Sequence, residues 1–184
     1  MNAIEATAKR EQIVGELAAA LSTDTTLRPL DLLPALRKLL KCATPLAEVL
    51  TDRQRTGSGE RYERDILYTH PDGHFSIMLL TWQHGQRSPV HCHWTWCGYL
   101  VLQGTLSEDH FGWEEDKLVQ VGGKLRRVGD IVVGESSLHD VHRLGNLHQE
   151  TAVSLHIYGV GKELIPTHIN RVFDCFAWSK SADA

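Results

Sequence analysis

The segment His91-Cys92-His93-Trp94-Thr95-Trp96-Cys97-Gly98 runs into the apolar stretch Tyr99-Leu100-Val101-Leu102 and closes at Gly104. Side chains at i and i+2 of a strand point to the same face. His91 and His93 therefore aim two imidazoles one way, and Cys92 points the other way as a packed thiol. Imidazole suits iron, copper, zinc and nickel. Gly85 stands six positions before His91, and Gly129-Asp130 opens a second apolar segment downstream. A third histidine follows on that segment. His142 lies forty-nine positions after His93 and has Asn146 four residues beyond it. His139 competes for the third place, but Asn146 has the matching spacing only from His142. The remaining histidines of interest, His70, His74, His84, His110, His148 and His168, read as surface or loop residues.

These spacings resemble the two-motif pattern of the cupin barrel. That likeness implies a mainly β fold: a cupin, or double-stranded β-helix, jelly-roll-like barrel with N-terminal α-helices packed outside. A cupin usually carries a glutamate four residues after its second histidine, as a fourth ligand. Cys97 stands there instead. Three neutral imidazoles without the carboxylate leave a dication with open coordination positions, free to take substrate and oxygen together.

From Tyr62 to Tyr158 the chain also resembles the cysteine dioxygenases and their thiol dioxygenase relatives. Tyr62-Glu63-Arg64 is similar to that family's Tyr-x-Arg. Phe75-Ser76-Ile77-Met78-Leu79-Leu80-Thr81-Trp82 is similar to its strand ending in tryptophan, and His142-Arg143 to its third ligand and following arginine. Ala152-Val153-Ser154-Leu155-His156-Ile157-Tyr158 matches its Ser-x-His-x-Tyr. The resemblance implies Fe(II) held by His91, His93 and His142. It implies Arg64 on the substrate carboxylate, with Trp82 beside it, and Tyr158 near the metal, oriented by His156 and Ser154. In some members that tyrosine is joined to a motif cysteine by a thioether. Counting back from Gly104 puts Cys97 at the cross-linking position and counting forward from His91 puts Gly98 there; the cupin spacing, which sets Cys97 at the replaced ligand, favours Cys97.

The implied activity is addition of O2 to the thiol of a small thiol carboxylic acid, giving a sulfinic acid. Arg64 points to L-cysteine. The strand Trp94 to Gly98 is more like bacterial relatives acting on 3-mercaptopropionate. If Arg171 also reaches the pocket, two arginines would clamp a dicarboxylic thiol such as mercaptosuccinate. A non-catalytic metal-binding cupin is the contrasting reading, but it needs neither the Ser154-His156-Tyr158 relay nor a carboxylate clamp. Carbon-directed dioxygenases and isomerases of this fold usually keep the glutamate that is absent here. Trp94 and Trp96 wall the pocket or pack the core.

Composition is consistent with these expectations. The chain has 184 residues, 42% hydrophobic and 23% charged, with formal net charge −4. That is the make-up of a soluble globule, with no basic field for nucleic acid. No apolar run approaches the ~20 residues of a membrane span, and the N-terminus has no apolar signal core. Cys42, Cys92, Cys97 and Cys175 are too few and scattered for a disulfide framework, so a cytoplasmic setting is expected. Oligomeric state is open. One domain is expected, with a helical segment over 1–55 and the barrel over 56–184. Helical spacing marks Ile4 to Leu21, with Ile13, Leu17, Ala20 and Leu21 on one stripe, and Leu30 to Cys42, with Asp31 and Pro34 in its first turn. Pro45 to Leu50 reads as a short helix, and Thr56-Gly57-Ser58-Gly59 as a loop.

Overall fold

The computed structural model describes residues 2–22, 29–174 and 176–177. Two sheets face each other as a jelly-roll barrel, the expected cupin architecture. The first sheet has the order β1 (Glu63–Thr69), β2 (Ser76–Trp82), β9 (Ala152–Tyr158), β4 (Cys97–Gln103), β7 (Ile131–Gly134). The second has the order β10 (Asn170–Val172), β3 (His91–His93), β8 (Ser137–Gly145), β5 (Thr105–Glu114), β6 (Lys117–Arg127), β11 (Phe176–Ala177). Pairing is antiparallel apart from β11 on β6.

β2 and β9 are buried along their whole length because both faces of their sheet are covered. The outer face, with Ile77, Leu79, Leu100, Leu155 and Ile157, packs under the N-terminal helices α1 (Ala3–Ser22) and α2 (Pro29–Cys42). Leu17, Leu36, Leu40 and Leu46 are the buried helical partners. On α1 the buried stripe is Val14, Leu17 and Ala18, with Ile13 and Leu21 at its edge, a small rotation from the expected set. Helix α2 starts at Pro29, so Pro34 lies inside it and not in its first turn. Thr44–Val49 is a 3-10 turn. Helix α3 (Asp52–Thr56) was not expected. It is one turn long and held by a capping box between Thr51 and Gln54.

The inner faces hold the polar residues of the site. Gly104, the closing glycine of the first motif, sits at φ 68°, where a Cβ would stand 2.8 Å from the Thr151 carbonyl oxygen. Only glycine fits that turn. Asn146 is fully buried; its Nδ2 donates to the Trp82 and Glu150 carbonyls and its Oδ1 accepts from the His148 N–H. The second-motif asparagine thus shapes the turn from β8 to β9 and is no ligand. No helix among the described residues is long and apolar enough to cross a membrane.

Candidate metal centre

Strand register brings the three histidines together. His91 pairs with His142 across β3 and β8, and His93 follows on the same inner face. Their ligand atoms lie within 4.8 Å of one another. Between Ser137 and His142 the pairing skips residues, so His139 falls in a bulge and is exposed. His142 is therefore the third member of the cluster. Cys92 faces away, buried with Val90, Phe111 and Phe173.

The hydrogen bonds fix which nitrogen of each ring is free. Nδ1 of His91 is 2.9 Å from the Pro89 carbonyl, Nδ1 of His93 is 3.4 Å from the Ile169 carbonyl, and Nδ1 of His142 is 2.8 Å from Glu108 Oε1. Each partner is an acceptor, so each Nδ1 carries the hydrogen and each Nε2 a lone pair. The Nε2 atoms of His93 and His142 stand 3.1 Å apart. Two such lone pairs repel unless a cation lies between them. Two imidazoles bound about 2.1 Å from one ion, at right angles, have a similar separation of roughly 3 Å. The donor set therefore fits a divalent transition metal such as iron. Burial, then the neighbouring imidazoles, pushes His91 well below its ordinary range and His93 down to about 4, which keeps both rings neutral.

Glu108 was not singled out from sequence. It is buried on β5, accepts from His142 and pairs with Arg126. Burial pushes its carboxyl up, but the His142 and Arg126 contacts outweigh this and hold it at about 2. A signal did exist: Glu108 stands two residues after buried Leu106, on the inward row of a strand. His110, expected at the surface or in a loop, continues that row on β5 beside Glu108, with its side chain 38% exposed.

A second polar system faces the histidines from the other sheet. Trp82 Nε1 donates to Ser154 Oγ at 3.0 Å, Ser154 Oγ is 2.8 Å from His156 Nε2, and His156 Nδ1 is 3.0 Å from Tyr158 Oη. Tyr62 stacks on Trp82 at 4.2 Å and accepts from Arg64 Nη2 at 2.8 Å. Arg64 pairs with Leu80, and Leu80 with Ser154, which sets Arg64 on the inner row at the cavity's exposed edge. Arg64, Trp82, the three histidines, Cys97, His156 and Tyr158 all line one cavity. Burial holds His156 neutral and keeps the hydroxyl of Tyr158 protonated.

Two expected residues lie elsewhere. Arg171 pairs with Cys92, so it shares the outward face; its guanidinium lies over Trp94 and Phe173, 5.4 and 5.2 Å from their centroids. Gly98 faces the helices, where a Cβ would stand 2.8 Å from Leu36. The sulfur at the replaced-ligand position is thus Cys97, on the inner face. Trp94 is half exposed, and Trp96 packs at the edge of the helix-covered core; neither walls the cavity. Cys42, Cys92 and Cys97 are free thiols, and Cys175 lies outside the described residues. His70, Asp72 and His74 form another donor group on the β1–β2 turn, but the Asp72 N–H already occupies Nδ1 of His70.

The sequence profile of the cysteine dioxygenase type I family matches residues 58–166. The chain belongs to the cysteine dioxygenase type I family. Among relatives in that family, cysteine dioxygenase type 1 of Danio rerio is 39% identical over 106 residues, covering 53% of this chain and 51% of its own length. The Homo sapiens enzyme of that name is 34% identical over 103 residues, covering 53% and 50%. The chain spans about half the length of the curated relatives it matches. Among solved structures it is similar to a double-stranded β-helix protein from Klebsiella pneumoniae, with TM-score 0.46 and 16% identity over 61% of this chain and 90% of that one. A cupin superfamily protein from Desulfitobacterium hafniense gives 0.45 and 16%, over 63% and 88%.

Proposed function

We propose that this chain is an iron-dependent thiol dioxygenase that converts a small thiol carboxylic acid, with L-cysteine the favoured substrate, into its sulfinic acid. The observation that carries this reading is the meeting of three Nε2 lone pairs, an arginine fork and a buried Ser-His-Tyr relay around one cavity. Iron(II) held by His91, His93 and His142 supplies the site at which a thiolate and dioxygen react. The overall change is balanced: both oxygen atoms end on sulfur, which gives up four electrons to dioxygen, and no further reductant is consumed.

Arg64 binds the substrate carboxylate through its planar fork, with Tyr62 fixing one end of the guanidinium. The relay sets the direction of a proton. The Trp82 N–H occupies one lone pair of Ser154 Oγ, and we assign the tautomer in which the Ser154 hydroxyl donates to His156 Nε2. His156 Nδ1–H then donates to Tyr158 Oη, and the Tyr158 O–H is left to donate into the cavity. An anionic oxygen of the substrate is the matching acceptor. Cys97 does not compete as a thiolate, because burial, then the charges of Glu108 and Asp140, pushes its thiol up to about 12.

Arg171 faces outward, which removes the support for a dicarboxylic thiol clamped by Arg64 and Arg171. 3-Mercaptopropionate remains the second substrate, favoured by the Trp94 to Gly98 strand. The test is oxygen uptake by iron(II)-loaded protein with L-cysteine, 3-mercaptopropionate and mercaptosuccinate, with sulfinate detected by mass spectrometry. Fastest turnover of L-cysteine is expected. No uptake with any of the three, despite a full complement of iron, sinks the dioxygenase reading in favour of a non-catalytic cupin.

A further inference from the structure

Two cavities meet at the histidines. One opens past Tyr62 and Arg64 into a surface basin that also holds Arg61 and Arg87. The other, about 210 Å³, shares His93, Cys97, Tyr99 and His142 with the first as a common wall. Its rim carries exposed Glu135 and Asp140.

Strand register explains why this second cavity exists. Tyr158 pairs with Cys97, and Cys97 with Gly134, so the three positions form one row across β9, β4 and β7. Residues paired across neighbouring strands present the same face. Tyr158 and Cys97 fill that row with side chains. Gly134 leaves its end empty. A Cβ there would meet nothing within 4 Å, and its φ lies outside the left-handed region. The backbone does not demand glycine at this position; its effect is a gap beside the metal ligands.

We infer that dioxygen reaches the site through the Gly134 gap, while the thiol acid enters past Arg64; this rests on the dioxygenase reading above. Charge separates the routes. A carboxylate is drawn to Arg61, Arg64 and Arg87, which outnumber Glu60 in their basin, and repelled by Glu135 and Asp140, since Arg126 in the second cavity is paired with Glu108. Dioxygen is neutral and indifferent to an acidic rim, and Val132, Cys97 and Tyr99 give it apolar wall. Order of binding separates them too. A thiol acid seated on Arg64 fills the first cavity, so the second oxygen-accessible side is needed once substrate is bound.

The experiment is nitric oxide binding to the iron(II) protein, a neutral diatomic probe that needs no turnover, followed by stopped-flow absorbance with L-cysteine bound. Gly134→Val and Val132→Phe add bulk on the inner face of β7. The expected result is association slowed by about tenfold in each, equivalent to roughly 1.4 kcal/mol on the entry barrier. The KM for dioxygen should rise while the KM for the thiol stays near the parent's. Unchanged nitric oxide association in a folded, iron-replete variant of either kind overturns the second route. If Gly134→Val fails to hold iron, Val132→Phe alone decides. Slowed nitric oxide binding in a protein that consumes no oxygen with any thiol leaves the opening standing and sinks the dioxygenase reading.

Discussion

Cys97 and Tyr158 stand directly opposite one another in register across β4 and β9, both on the inner face beside the histidines. Residues so paired have Cβ atoms about 5 Å apart, within reach of a cysteine sulfur and a tyrosine ring. A thioether between them would remove the thiol hydrogen and one ring hydrogen, a two-electron oxidation with dioxygen as acceptor. After turnover, peptide mass spectrometry should find a Cys97–Tyr158 cross-linked pair lighter by two hydrogens, absent in Cys97→Ser. A wholly free Cys97 after many turnovers would leave the pair as neighbours only.

His142→Ala should abolish iron binding and activity, whereas His139→Ala should leave iron content near the parent's. His142 joins the cluster of Nε2 donors, and His139 lies exposed in the bulge. Metal analysis after gel filtration reads this directly. Stoichiometric iron in His142→Ala would overturn the ligand assignment.

Glu108→Gln should weaken metal affinity by roughly 10- to 100-fold, the usual cost of losing an outer partner of a histidine ligand. The carboxylate fixes the His142 tautomer and also takes Arg126, so the variant leaves Arg126 without its charge partner. Chelator competition measures the change. The folded carboxyl is held at about 2, below its usual value, so its stabilising contribution is present above the unfolded value and lost as pH falls toward about 2. In urea melts, metal-free Glu108→Gln should therefore lose less stability than the parent across that acid range.

Arg64→Ala should lower kcat/KM for L-cysteine by about ten- to a hundredfold, since a charge-assisted bidentate pair contributes roughly 1.5–3 kcal/mol. Iron content and melting temperature should stay near the parent's, because Arg64 is exposed and, among the described residues, its side chain is hydrogen-bonded to Tyr62 alone. Arg64→Lys should rescue little, a point charge being no match for the planar fork. Steady-state kinetics that do not move in Arg64→Ala would put the carboxylate elsewhere.

Gly98→Ala should destabilise the protein by roughly 1–3 kcal/mol, the usual cost of overpacking a core. The added Cβ would stand 2.8 and 2.9 Å from methyl carbons of Leu36 and Leu40. Helix α2 would have to move off the sheet. Denaturant melts should show the loss while the metal content, set on the opposite face, persists. A melt unchanged from the parent's would mean that α2 adapts freely.

Much of this protein was legible in local pattern. The i, i+2 spacing of His91 and His93, the offset to His142 and Asn146, and the alternation of Ser154, His156 and Tyr158 are strand-period signals. A strand's two faces follow from the pleat alone, so these residues and the outward turn of Cys92 could be read without coordinates. The helical leucine stripes were legible for the same reason, to within a small rotation on α1.

Pairing between strands was not legible in that way. Counting along the chain left Cys97 and Gly98 as rivals; the β4–β9 register put Cys97 opposite Tyr158 and turned Gly98 to the helices. Arg171 lay at no informative spacing, and only its pairing with Cys92 showed that it faces outward. Glu108, Arg126 and Gly134 come to the site from β5, β6 and β7, not from the strands β3 and β8 that carry the three histidines. Sequence by itself thus determined which residues of one strand share a face, because the two-residue period is a property of the backbone. Which residues meet across that face was decided by tertiary structure alone, because register is set by packing the whole barrel and a shift of one residue would exchange every inward side chain for an outward one.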